Sequence, residues 1–306
     1  MYERFHGLDR KPFSLLPDAD FLYLGRRHRT AFSLLQYGVQ EGLGFVVITG
    51  EIGAGKTTLI HRLLGTMGGD VRSGLITHTH AAYGSVIRSV ASAFELKCTG
   101  DNQVIYNGFR DFLGVCEREG RRAVLIIDEA QNLSIGALEE LRMLSNLNLG
   151  SRLVLQIILS GQPQLLENLR KPELEQFVQR IGINYHLKEL DLADTVDYIR
   201  HRLGVAGGSP ELFDDLACAA AYVYSGGIPR LINVLCDLAL VYSYAENRHQ
   251  IDYEVIADVA ESRESGGLSP FRGELSGKSR DQIRDILWRR LDAIAPDSLA
   301  KASRQA

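Results

Sequence analysis

The chain has 306 residues, a formal net charge of -4 and 24% charged residues, enough length to bury a large core and to hold two domains. Such a balance excludes recruitment to nucleic acid or acidic lipid through global basic charge, though a local basic patch is compatible with it. No apolar run reaches the ~18 residues that a spanning helix needs, and Met1-Tyr2-Glu3-Arg4-Phe5-His6-Gly7 lacks the apolar core of a signal peptide. These features predict a cytoplasmic protein whose membrane role, if any, is exerted through a partner. The four cysteines, Cys98, Cys116, Cys218 and Cys236, show neither CxxC nor metal-ligand spacing and read as reduced thiols.

Thr30 to Gln40 has helical spacing, and Phe45 to Thr49 reads as a buried strand. The strand runs into Gly50-Glu51-Ile52-Gly53-Ala54-Gly55-Lys56-Thr57, and Thr58 to Leu64 opens a helix. Strand, Gly-x4-Gly-Lys-Thr and helix form a phosphate-binding loop. Its glycines let successive N–H groups turn inward, and the helix N-terminus adds partial positive charge. Gly50 to Thr58 are therefore the candidate ATP-binding residues. Within them, Lys56 would reach the β- and γ-phosphates and the Thr57 hydroxyl would serve Mg²⁺.

Gly74 to His78 is a second strand-like run, and Ser85 to Phe94 and Val104 to Arg118 are helical. Ala123 to Asp128 is continuously apolar until its last residue, as expected of a strand buried on both faces. It ends in Asp128-Glu129, the Walker B arrangement: Asp128 would hold the metal's water shell, and Glu129 would polarise the attacking water. Ile135 to Leu147 is helical, and Leu153 to Leu159 is another buried strand that ends in Ser160-Gly161-Gln162-Pro163. If that strand lies between the two motif-bearing strands, Ser160, or as second choice Gln162, stands beside the γ-phosphate.

Arg180 precedes the strand-like run Ile183 to Leu187 and could reach the ATP of a neighbouring subunit, with Arg170 as the alternative. The alternation to this point predicts an α/β domain over 1–188, a three-layer αβα sandwich around a parallel sheet, with an N-terminal segment over 1–28.

After Leu190 the strand-like runs stop. Asp191 to Leu203, Pro210 to Tyr224, Pro229 to Glu246 and Tyr253 to Glu261 predict a small all-α lid domain over 189–262. Arg230 follows Gly226-Gly227-Ile228-Pro229, a break and helix start that would present it to the γ-phosphate. Ser262-Arg263-Glu264-Ser265-Gly266-Gly267 has linker composition and opens a tail over 263–306. In it Ile283, Ile286, Leu287, Leu291 and Ile294 could line one helix face, either docking a partner or packing on the domain.

Together these residues resemble the AAA+ P-loop ATPases, and within them the general secretion pathway protein A (ExeA-like) family. The resemblance runs to about residue 262. It rests on Tyr2 to Leu8, Lys11-Pro12-Phe13-Ser14, Pro17-Asp18, Phe21 to Leu24, Gly50 to Thr58, Ile126 to Gln131, Leu159 to Pro163, Tyr198 to Leu203 and Ser225 to Asp237. It implies an ATP hydrolase that forms homo-oligomers through its nucleotide sites, with residues around Phe21 to His28 framing the adenine. Relatives serve type II secretion or accompany polysaccharide export, and distant cousins coat DNA in transposition. Secretion-type members carry a transmembrane helix and a peptidoglycan-binding domain after the ATPase, and neither is expected within these 306 residues. His78 stands where the family usually has Asn, and it could hydrogen-bond Glu129 as a switch.

The leading expectation is an ATPase that drives or gates a partner in an envelope secretion or polysaccharide-export assembly. A DNA-binding ATP switch is the alternative, through Arg26-Arg27-His28-Arg29 and Arg200-His201-Arg202. A non-hydrolysing scaffold is the third reading, and the intact Asp128-Glu129 pair speaks against it.

Overall fold

The computed structural model describes residues 1–16, 18–77, 85–97, 100–147, 154–267 and 271–294. In chain order the elements begin with α1 (Tyr2–Phe5), α2 (Arg26–Glu41), β1 (Phe45–Gly50), α3 (Lys56–Thr66), β2 (Val71–Ile76), α4 (Val86–Ala93) and α5 (Asn102–Arg118). They continue with β3 (Arg122–Ile127), α6 (Ile135–Ser145), β4 (Leu155–Gly161), α7 (Gln164–Leu169), α8 (Glu175–Val178) and β5 (Ile181–Leu187). Five helices follow: α9 (Leu192–Val205), α10 (Asp215–Ser225), α11 (Pro229–Ala245), α12 (Tyr253–Ser265) and α13 (Arg280–Ile294). Contacts group the chain into two compact units, one of His28–Ile52 and Lys56–Lys188, the other of Met1–Arg27, Gly53–Gly55 and Glu189–Ala306.

The first unit is a five-stranded sheet in the order β2-β3-β4-β1-β5, and every neighbouring pair is parallel. The inner strands β1 and β4 are buried at every position, and β3 at all but its first. This is what their Val-, Ile- and Leu-rich runs require, since helices cover both faces. Gln156, a polar break within β4, donates from Nε2 to Gly44 O at 3.0 Å. At one edge β5 alternates between partly buried and exposed positions, because half of its side chains meet solvent. β2 pairs with β3 over Val71–Ile76, so it starts three residues before the expected Gly74; His78, at its expected end, lies outside the described residues. Leu153, the expected start of β4, also lies outside them. Phe45, Phe109 and Phe177 anchor the core between the sheet and its helices.

The second unit is helical, and the N-terminal segment belongs to it. Tyr2, Leu8, Phe13 and Phe21 are buried in one core with residues of α9 to α13. The Tyr2 hydroxyl donates to Asp237, and Arg202 Nε donates to Pro12 O at 2.5 Å. By contacts, then, residues 1–27 group with the helices after 188 and not with the α/β domain over 1–188. Phe13 packs edge-on against Phe213 and Phe21 lies under Arg202 of α9, so both rings bury apolar surface in this unit. The tail packs as well: Ile283, Leu287 and Leu291 are at most 2% exposed, and Arg280 pairs with Asp258 and Glu261. Of the two roles open for this helix, packing is the one its buried stripe takes. Cys116, Cys218 and Cys236 are free and buried, and burial pushes their thiols up; Cys98 lies outside the described residues.

Helix α10 starts at Asp215, five residues after the expected Pro210, because Phe213 bridges Ile251 and Asp214 caps the helix. The Asp214 carboxylate accepts from Ala217 N at 2.6 Å, and burial, with the nearby charges of Asp252 and Asp215 adding, pushes its acid up to about 6. An acid raised on folding loses stability as pH climbs from its unfolded value through the folded one. Asp214→Asn keeps the cap and removes the buried charge. It should raise stability at pH 7.5 by up to ~2 kcal/mol, and the gain should vanish below pH ~4. Thermal melts of both proteins across that range would sink the idea if the two curves ran parallel.

Candidate active site

The loop closes around its own lysine. Lys56 opens α3 and is 6% exposed, and its Nζ donates to Gly50 O at 2.7 Å and to Glu51 O at 3.0 Å. Gly53 and Gly55 take φ of 81° and 99°, values that side-chain-bearing residues rarely adopt. This backbone leaves the first N–H groups of α3 without helical partners, which is how a helix N-terminus comes to bind phosphate. Burial pushes the Lys56 ammonium down, while the charges of Glu129, Asp128 and Glu51 act the other way.

Asp128 follows β3 and is held on both oxygens. Thr57 Oγ1 donates to its Oδ2 and Ser160 Oγ to its Oδ1, each at 2.7 Å, and Glu129 N donates to Oδ1 at 3.0 Å. The strand order explains the meeting: β4 lies between β3 and β1, so the ends of all three strands converge beside the loop. Ser160 stands in β4 between the two motif-bearing strands, and its hydroxyl hydrogen is committed to Asp128. Glu129 stands in the left-handed region at φ 53° and accepts on Oε2 from Gln131 Nε2 and Gln162 Nε2. Glutamines were the least legible part of this site. Gln131 follows Asp-Glu-Ala by one position, but nothing in that spacing says that its amide turns back to the carboxylate.

Arg180 sits apart from that cluster. Arg180 precedes β5, and its neighbour Ile181 pairs with Phe45 at the start of β1, whereas the loop follows the end of β1. A strand of this length separates the two ends by about 20 Å. The Arg180 guanidinium donates to Ser145 Oγ at 3.0 Å. Arg170, the alternative, is exposed after α7. Within the helical unit, Arg230 N donates to Gly53 O at 3.3 Å, and a Cβ on Gly53 would fall 2.5 Å from Arg230 Cβ. The basic runs are largely engaged. Arg202 is 6% exposed, with its guanidinium 4.8 Å from the Phe21 ring centre, and Arg200 pairs with Asp215. Arg27 donates to Glu189 O, and His28 is buried. Arg202 thus leaves the candidate DNA face, since its length is spent tying α9 to the N-terminal segment.

A parallel sheet in this strand order, with a phosphate loop after β1 and an acidic pair after β3, defines a P-loop ATPase of the AAA class. The AAA domain family matches residues 39–169. The chain is an AAA ATPase related to general secretion pathway protein A: it is 40% identical over 253 residues to that protein of Aeromonas hydrophila, covering 82% of this chain and 46% of the relative. It therefore spans about half the length of the curated relative it matches. Solved structures share the fold. The ORC2 protein of Aeropyrum pernix aligns with a TM-score of 0.60 at 15% identity, over 97% of this chain and 87% of that one. Cdc6p of Pyrobaculum aerophilum aligns at 0.56 and 14%, over 91% and 89%. Among the described residues no helix is long and apolar enough to cross a membrane.

Proposed function

We propose that this ATPase works as a nucleotide-dependent homo-oligomer in the cytoplasm and drives or gates a protein partner of an envelope secretion or polysaccharide-export assembly. The observation that carries the ATPase chemistry is the Thr57–Asp128–Ser160 cluster beside a loop wrapped on Lys56. Gly50 to Thr58 cradle the phosphates of ATP, and Lys56 turns from the loop carbonyls to the β- and γ-phosphates. Thr57 and Asp128 present hard oxygens, the donors that suit Mg²⁺. A Mg²⁺ ion held by Thr57 and Asp128 would supply positive charge to offset that of the phosphates. Ser160 fixes the Asp128 carboxylate. Glu129 accepts the proton of the attacking water, and Arg230 offsets charge on the γ-phosphate. Residues 28–188 make up the nucleotide domain in this reading, and residues after 188 the lid.

Arg180 supports the oligomer. It lies at the opposite end of β1 from its own loop, which suits service at a neighbour's site beside its bond to Ser145 Oγ. Specific ATPase activity should then rise with protein concentration. Arg180→Ala and Lys56→Ala, each inactive alone, should regain part of the activity when mixed, because one supplies the intact loop and the other the intact arginine. Phosphate release measured across dilution checks both points, and activity per subunit independent of concentration would remove the shared site. Identity to general secretion pathway protein A supports the envelope context. Another solved structure of this fold, the ORC1 protein of Aeropyrum pernix, was determined in complex with DNA. Duplex DNA added at low salt tests that reading here, and several-fold stimulation would favour a DNA-dependent switch over an envelope partner.

A further inference from the structure

Gln131 has no part in the chemistry above, and Gln162 entered only as the second choice beside the γ-phosphate, yet both end on Glu129. Gln131 Nε2 donates to Glu129 Oε2 at 2.6 Å, and Gln162 Nε2 donates to the same oxygen at 3.2 Å. The two glutamines are joined to each other, since Gln131 Oε1 accepts the backbone N–H of Gln162 at 3.0 Å. Asn168 Nδ2 donates to Gln131 O at 3.4 Å and ties the turn to α7. Space for this arrangement is built into β4: a Cβ on Gly161 would stand 2.9 Å from Gln131 Oε1 and 3.2 Å from Gln131 N. Glu129 itself holds a left-handed φ of 53°. A glutamate persists there only where its surroundings over-determine it.

We propose that Gln131 and Gln162 are positioning residues that clamp the Glu129 carboxylate in the orientation from which it takes the water's proton. Fixing one carboxylate oxygen with two amides also fixes the other, because the group is planar. This inference rests on the reading of Glu129 as the base. Orientation is worth much in such a step, since a misplacement of about 1 Å can cost ~10²-fold in rate. Each glutamine supplies one of two donors, so each should account for a part of that.

The test uses Gln131→Met and Gln162→Met in the full chain, since methionine keeps the length and loses the amide. Single-turnover ATP cleavage should slow ~10-fold in each variant, while affinity for a fluorescent ATP analogue stays within about twofold. In a Glu129→Gln background, adding either substitution should slow the residual rate no further, because no carboxylate is left to orient. A merely structural role would instead slow the double variant as much as the single one. Wild-type turnover in Gln162→Met, or an additive loss in the Glu129→Gln background, overturns the clamp. Should Gln131→Met fail to give a cooperative melt, Gln162→Met decides alone. Full turnover in Glu129→Gln by itself would show instead that the base is misassigned, which separates the failure of that reading from the failure of the clamp.

Discussion

Lys56→Ala should leave a protein that no longer binds ATP. The ammonium is the only cation among Gly50 to Thr58, and it donates to Gly50 O and Glu51 O. Truncation therefore removes the charge that meets the β- and γ-phosphates. Each charge-assisted contact is worth about 1.5–3 kcal/mol, so the loss of two should weaken binding by at least ~10²-fold. Equilibrium titration with a fluorescent ATP analogue measures this directly. The melting temperature gives a second reading: ATP should raise it in the wild type by mass action and leave it unmoved in the variant. Affinity within about threefold of wild type would mean that nucleotide is held without the loop lysine, contrary to the site's chemistry.

Glu129→Gln should do the opposite, holding ATP and failing to cleave it. A glutamine at 129 can still present its carbonyl oxygen to Gln131 and Gln162, so the local hydrogen bonds of the carboxylate survive in kind. What it cannot do is take a proton at neutral pH. General-base loss of this type is worth about 10²–10⁴-fold, and turnover should fall within that range while affinity stays near wild type. Steady-state phosphate release paired with the same titration checks both halves. Retained turnover removes Glu129 from its role, and lost affinity would point to damage in the turn that carries φ 53°.

The two variants differ in which property they spare, and that contrast is what separates binding from cleavage at this site. A scaffold that only binds ATP would show the Lys56→Ala result and no change with Glu129→Gln. An ATP hydrolase shows both.

Local chemistry made the core of the site readable. A phosphate loop is specified by a few adjacent residues, because glycine φ values, a lysine at fixed offset and a helix N-terminus are all short-range demands. Buried parallel strands are readable for a related reason: with both faces covered, most positions must be apolar, as in β3 after Arg122 and in β4 apart from Gln156 and Ser160. Asp128 and Glu129 then follow as the first polar residues past such a run. Boundaries were less legible. β5 begins two residues before Ile183 and α10 five after Pro210, because pairing with β1 and the cap at Asp214 set those limits.

Composition, periodicity and motif spacing thus determined the fold class, the phosphate loop and the acidic pair, each being a property of contiguous residues. Only the tertiary structure decided that residues 1–27 pack with the C-terminal helices, that Arg202 is spent inside that core and that α13 is packed there. It also decided that Arg180 stands at the far end of the sheet from its own loop and that two glutamines grip Glu129. These depend on which distant segments become neighbours. That choice is made by the summed burial of whole helix faces and by the strand order β2-β3-β4-β1-β5, and no short stretch of sequence carries either.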